Sequence, residues 1–223
     1  MIRCSRHWWK RSNACKEEDS LIRIFLIRHG ETVWNHSGRY QGITDVELSE
    51  VGRHQAQMLI PYFREIALDA VYTSDLSRAY DTALPLAESK GLPVTKVPGL
   101  REINFGDWEG LTYEEITRQW PGAIEHMYRH PDTLRISHGE SFLDVQVRAY
   151  DALQRILVNH DDGTLAIVSH GGTIRCLLCS LLGIDLHLAW NFKQDNANVT
   201  EVHYYGERNL LALLNDTHHV SSV

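Results

Sequence analysis

LIRIFLIRHG, residues 21–30, decides how this chain folds. Leu21 to Ile27 form an apolar, β-branched run that stops at Arg28-His29-Gly30, which reads as a buried strand feeding a loop. The same form recurs far along the chain. Leu165 to Ser169 make a parallel-strand candidate that ends at His170-Gly171-Gly172. In open α/β sheets ligands bind beyond the carboxyl ends of strands, so both histidines stand where chemistry tends to sit.

Between and after these runs the pattern alternates. Ser49 is an N-cap for a helix carrying Val51, Gln55, Met58, Leu59, Tyr62 and Phe63, with a kink expected at Pro61. Asp69 to Thr73 reads as a short strand, then a helix runs from about Leu76 to Lys90 and closes near Gly91. Pro93 to Val97 can form a third strand, followed by a loop from Leu100 to Gly110. Thr112 to His138 suggests short helices and loops inserted over the core. Ser141 caps a helix to about Asn159, with Leu143, Val147, Leu153, Ile156 and Leu157 expected toward the core. A helix from Thr173 to Leu182 follows, and Asn198 to Tyr205 with Leu210 to Asn215 make an antiparallel pair turning at residues 206–209. Alternating strands and helices predict an α/β fold, a three-layer α/β/α sandwich with a mostly parallel central sheet and a small helical or loop cap over residues 103–138. All of it belongs to one domain, residues 21–217.

Composition narrows the function. The 223 residues are 43% hydrophobic and 23% charged, with a net charge of −7. No basic field draws such a chain to nucleic acid or to an anionic membrane. An acidic protein that binds an anion must gather its positive charge locally, so each arginine position is informative. Cys4, Cys15, Cys176 and Cys179 are too sparse for a disulfide framework. Cys176 and Cys179 form a C-x-x-C at helical spacing in an apolar run; packing of two small residues accounts for it more simply than a zinc half-site or a redox pair. The thirteen histidines contain no H-E-x-x-H pattern, and His218-His219 reads as part of a solvated tail, residues 218–223. Residues 1–20 carry basic residues, Trp8-Trp9 and an acidic cluster without an apolar core, an expected N-terminal extension and not a secretory signal. A cytoplasmic location is expected.

A lone His-Gly is equally a loop histidine with an ordinary hydrogen bond. Arg78 adds weight, because it opens a helix after the Val71-Tyr72 strand, where the helix dipole disfavours a cation unless an anion binds there. Its alternative is a surface pair with Asp75 or Asp81.

Arg28-His29-Gly30-Glu31-Thr32, then Trp34-Asn35, Gln41-Gly42, Asp45, Leu48-Ser49, Gly52 and Gln55-Ala56, resemble the opening signature of the histidine phosphatase (phosphoglycerate-mutase-like) superfamily. Ser74 to Ala79 with Thr82, Leu100-Arg101-Glu102 with Gly106, Trp108, Glu109 and Gly110, Gly139-Glu140-Ser141 and Ser169 to Gly172 continue it in family order to about residue 200. The resemblance implies a phosphoric monoester hydrolase, with His29 as nucleophile and a phosphohistidine intermediate. It implies that Arg28, Arg78 and His170 hold the phosphoryl oxygens, with Asn35, Gln41, Gly42 and Gly171 also at the phosphate. Glu102 matches the family's acid/base residue, ahead of Glu31 and Glu109. No metal or other cofactor is implied, the partner is a small phosphorylated metabolite, and a homodimer is left open.

The family also holds cofactor-dependent phosphoglycerate mutases, the main alternative. Their Tyr three positions after the acid, Lys eleven after it and tandem Arg pair are matched here by Phe105, Tyr113 and Arg129-His130, and only Arg129 keeps the type. The segment from Pro131 to Gly139 is short where mutases carry a long insertion. Both differences favour a phosphatase resembling the α-ribazole and broad-specificity branch. Phe105, Trp108, Tyr113, Trp120, His126, Tyr128 and His130 either pack on the leaving group or form the cap's own core. A phospho-ligand-binding protein without turnover is the non-enzyme alternative, which loss of His29 or Glu102 would signal; both are present.

Overall fold

The computed structural model describes residues 21–206 and 208–220. The extension expected over residues 1–20 lies outside them.

Six strands form one sheet: β1 (Ile22–Arg28), β2 (Ala70–Thr73), β3 (Val94–Lys96), β4 (Gly163–Ser169), β5 (Val199–Tyr204) and β6 (Leu210–Asp216), in the order β3-β2-β4-β1-β5-β6. The first four in that order are parallel, while β5 and β6 close one side antiparallel. The helices are α1 (Val33–His36), α2 (Glu50–Tyr62), α3 (Ser77–Lys90), α4 (Tyr113–Gln119), α5 (Ala123–Arg129), α6 (Phe142–Leu157) and α7 (Gly171–Leu182).

The apolar runs of β1 and β4 are continuous because both faces of the sheet are covered. Side chains alternate across a strand. Ile24 and Leu26 of β1, with Leu165 and Ile167 of β4, pack with α6 and α7 residues such as Leu153 and Leu177. Phe25, Ile27, Ala166 and Val168 face the other way, onto Leu59 and Phe63 and onto Ala79, Ala83 and Leu86 of α3. Phe25 meets Phe63 edge-on at 5.1 Å. The expected three-layer α/β/α sandwich is therefore the observed one.

Local signals set the helix ends. Ser49 Oγ accepts from Gly52 N, and Ser141 Oγ from Asp144 N, each the start of a helix. Gly91 closes α3 in the left-handed conformation, as expected. Helix α2 runs through Pro61 and ends one residue later at Tyr62.

Three expectations need correction. Leu143 and Val147 do not face the core; they are 46% and 56% exposed, because the buried stripe of α6 runs through Phe142, Val145, Ala149, Ala152, Leu153 and Ile156, roughly half a turn away. Helix α7 starts at Gly171, not Thr173, since the carboxylate of Glu102 accepts from the N–H groups of Gly172 and Thr173 and completes the first turn. His219 is no solvated tail residue either: it is buried with its ring 4.8 Å from that of Tyr62 on α2, beside His218, which pairs with Asp216. No helix among the described residues is long and apolar enough to cross a membrane.

Candidate active site

Strand register builds the site. Arg28 of β1 lies opposite Ser169 of the parallel strand β4, so the next residues, His29 and His170, leave the sheet side by side. Their rings are 5.1 Å apart between centroids. Val168 lies opposite Thr73 of β2, which brings Ser74 into the same row. His29 N donates to Ser169 O at 2.9 Å and Ser74 N to Val168 O at 3.1 Å, extending the ladder to the edge. A 2.7 Å hydrogen bond joins Ser74 Oγ to His170 Nε2.

Both imidazoles are neutral. Burial pushes the pKa of His29 well below its ordinary value, and the positive charges of Arg78 and Arg28 push it further. Its Nδ1 stands 2.7 Å from Gly30 O. A carbonyl can only accept, so Nδ1 bears the proton and Nε2 keeps a free lone pair. His170 is pushed down in the same way, by burial first and then by Arg78 and His29. In the tautomer whose Nε2 accepts from the Ser74 hydroxyl, His170 Nδ1 is an N–H donor, and that atom is buried without a protein partner.

Arg78 sits at the second position of α3 and is fully buried. Its Nη2 donates to Gly42 O at 2.6 Å and its Nη1 to Thr44 O at 2.9 Å, while Nε has no protein acceptor. Burial brings its pKa down to about 10, so it stays charged at neutral pH. The surface-pair alternative fails: Arg78 is buried and forms an ion pair neither with Asp75, which Arg101 holds at 2.5 Å, nor with Asp81. Asp45 accepts instead from Ser77 N and Oγ at the start of α3. Arg28 Nη1 donates to Gln194 O at 2.6 Å, and its Nε is likewise buried without a partner. Two guanidinium groups are thus tethered by one edge each, with donors left over.

The loop holding Gln41 and Gly42 is tied down by Glu109, whose carboxylate accepts from Ile43 N, Thr44 N and Phe105 N. Gly42 has φ +59°, and a Cβ there would run into the Glu109 carboxylate. Glu31 accepts from Ser49 Oγ. Both carboxylates serve loops and neither lines the cavity, unlike Glu102. The backbone of Glu102 is held by Arg148 Nη2, which donates to its carbonyl at 2.8 Å. Its carboxylate rests on the amino end of α7, accepting from Gly172 N and Thr173 N at 3.1 Å each. A side chain at Gly172 would come within 2.7 Å of Glu102 Oε1, which explains the second glycine of the motif.

These groups surround a cavity of about 330 Å³. Arg28, His29, Asn35, Gln41, Gly42, Arg78, Glu102 and Gly171 all line it; His170 does not, being buried with its ring 5.1 Å from that of His29. Asn35 Oδ1 accepts from Thr32 N and Asn196 Nδ2, so its own Nδ2 is the donor it can offer. The aromatic segment divides: Phe105 and Tyr128 line the cavity, whereas Trp108 packs between Phe105 and Trp120, Tyr113 is exposed, and His126 and His130 pair at the surface. Sequence reasoning missed Arg175 and Trp190, which line the cavity too. Arg175 had a signal, as the one charge in the apolar helix GGTIRCLLCSLL. Cys176 and Cys179 of that helix are buried thiols facing the carbonyls of Phe142 and Asp185, and burial raises the pKa of both. A larger groove of about 940 Å³ beside α6, lined by Leu143, Val147 and Pro98, contains neither histidine.

Residues 24–217 match the family model of the histidine phosphatase superfamily (branch 1). The chain is similar to phosphoserine phosphatase 1 of Hydrogenobacter thermophilus, 37% identical over 200 residues that cover 90% of this chain and 95% of that one. Among solved structures it resembles YhfR of Bacillus stearothermophilus, with a TM-score of 0.84 at 35% identity over 89% of this chain and 99% of that one. It also resembles the α-ribazole phosphatase of Shigella flexneri, with a TM-score of 0.79 at 29% identity over 87% and 96%.

Proposed function

The chain belongs to the histidine phosphatase superfamily (branch 1) and is a phosphoric monoester hydrolase; on that premise we propose that it turns over small phosphorylated metabolites through a phosphohistidine on His29. The observation that carries this reading is the seat of His29: its Nδ1 stands 2.7 Å from Gly30 O, burial and the charges of Arg78 and Arg28 favour the neutral ring, and the residue lines a cavity that also holds Glu102.

In the first step Nε2 forms a bond to phosphorus as the bond to the leaving oxygen breaks, and Glu102 gives that oxygen a proton. In the second, Glu102 takes a proton from water as the water oxygen attacks phosphohistidine, releasing phosphate and returning neutral His29. Charge on the transferring group is met by Arg28, Arg78 and the Nδ1–H of His170, the donors with unused hydrogen-bonding capacity. Asn35, Gln41 and the backbone around Gly42 and Gly171 complete the wall. Every step is supplied by side chains, so none requires a metal ion.

The test is hydrolysis of p-nitrophenyl phosphate with EDTA present. Activity is expected to persist in EDTA and to fall about 10⁴-fold or more in His29→Ala. A His29→Ala enzyme as fast as the wild type would end this reading. A panel including α-ribazole phosphate identifies the preferred leaving group, and a bisphosphoglycerate-dependent exchange between phosphoglycerates would mark a mutase instead.

A further inference from the structure

The turn that leads into β5, residues 194–198, lines no part of the catalytic cavity, yet it grips three residues that do. Gln194 O accepts from Arg28 Nη1 at 2.6 Å, and Asn198 O from Arg28 N at 3.3 Å. Ala197 N donates to His29 O at 3.1 Å. Asn196 reaches further. Its Nδ2 donates to His29 O and to Asn35 Oδ1, each at 3.2 Å, so one amide bridges the end of β1 to helix α1. An amide nitrogen carries two hydrogens, one for each of these acceptors.

The shape of the turn is held from outside it. Ala197 has φ +54°, in the left-handed region that a residue with a Cβ rarely adopts, and such an outlier persists only where its surroundings impose it. Asn215, near the end of β6, supplies part of that constraint. Its Oδ1 accepts from Asp195 N at 2.7 Å, and its Nδ2 donates to Asp195 Oδ2 at 2.8 Å. Asn215 is itself left-handed, at φ +53°, a conformation that asparagine tolerates better than most residues.

Helix α1 needs such a tether. It is four residues long and buries none of them, so a helix of one turn has little else to fix it. Thr32 N and Thr32 Oγ1 also donate to Asn35 Oδ1, but they orient the amide within its own segment. What Asn196 adds is a direct link to the carbonyl of the nucleophile's own residue. Resting on the phosphatase reading, we propose that Asn196 is a positioning residue for phosphoryl transfer: it holds the Asn35 amide in register with His29 and does so without touching the substrate. A donor for the phosphoryl oxygens and the atom that attacks phosphorus are thereby set against each other by one side chain.

The experiment measures competitive inhibition of p-nitrophenyl phosphate hydrolysis by orthovanadate, an oxyanion with the shape and charge of phosphate. Its Ki does not depend on how much enzyme is folded. Asn196→Ala is expected to raise Ki about tenfold and to lower kcat/KM by a similar factor. Asn196→Asp keeps the shape of the side chain but turns the donor into an oxygen facing two acceptors, and it should be at least as harmful. In an Asn35→Ala background, Asn196→Ala should change Ki by less than about twofold, because the group it positions is gone. An unchanged Ki in Asn196→Ala and Asn196→Asp, or an equal rise with and without Asn35, would overturn the proposal. Either result leaves the phosphatase reading intact so long as the wild type hydrolyses p-nitrophenyl phosphate in a His29-dependent way, which keeps the two failures apart.

Discussion

At the residue scale the central fact is that two imidazoles are held neutral by burial and by neighbouring guanidinium groups. The proposed chemistry needs that state, because a protonated imidazole has no lone pair to offer phosphorus. It has a thermodynamic consequence. In the unfolded chain both rings titrate near their ordinary value of about 6.5, whereas in the fold both pKa values are lowered. Below that pH the unfolded chain binds protons that the folded one refuses, so stability is fully present above pH 6.5 and is lost as the pH falls toward the folded-state values. Burial pushes His219 the same way and adds to the slope. Calorimetry in phosphate-free buffer should therefore show Tm falling between about pH 7 and pH 5, where ordinary carboxylates have yet to take up protons. The fall should be shallower in His170→Asn, and a Tm flat across that window would contradict the protonation states assigned here. The sequence placed both histidines at strand ends, but nothing in it told their tautomers, which depend on Gly30 O and Ser74 Oγ.

At the scale of elements, the proposed catalytic constellation depends on a strap that the sequence did not display. Arg148, in the middle of α6, donates to the carbonyls of Gly99, Arg101 and Glu102 and pairs with Glu140 at 2.7 Å. Glu140 in turn accepts from Asn104 N, and Arg148 among other groups holds its carboxyl below the usual carboxylate range against the opposing effect of burial. One helix thereby sets the backbone of the loop that carries Glu102, the proposed acid/base residue. Arg148→Met keeps the length of the side chain and deletes the bonds. It should cost about 2–3 kcal/mol in urea unfolding and lower kcat about tenfold or more with a smaller change in KM. An unchanged kcat in the folded variant would mean that Glu102 is positioned by α7 alone. The helices themselves were largely legible, through Ser49, Ser141 and Gly91. The misread face of α6 shows the limit: Leu143 and Val147 are apolar, and only packing against the sheet reveals that a different stripe is buried. Arg148 was silent because a mid-helix arginine looks like a solvated one until the loop it grips is folded beside it.

At the scale of the molecule, an acidic chain gathers Arg28, Arg78 and Arg175 into one cavity at the carboxyl ends of β1 and β4. Parallel register between β1 and β4 makes neighbours of two His-Gly motifs 141 positions apart in the sequence. The α/β sandwich was legible from those motifs and the alternation around them. Arg175 showed only as the one charge in an apolar helix, because its place in the cavity depends on contacts with Trp190 and Phe192. All of this serves one chemical claim, that phosphate passes through His29 Nε2. The most direct measurement uses Glu102→Gln, in which the water step should be slowed, quenched in alkali during turnover of p-nitrophenyl phosphate and mapped by peptide mass spectrometry. The account predicts phosphate on the peptide holding His29, bonded to nitrogen and lost on acidification. Phosphate on another residue, or steady turnover in which the His29 peptide never carries it, would contradict the account.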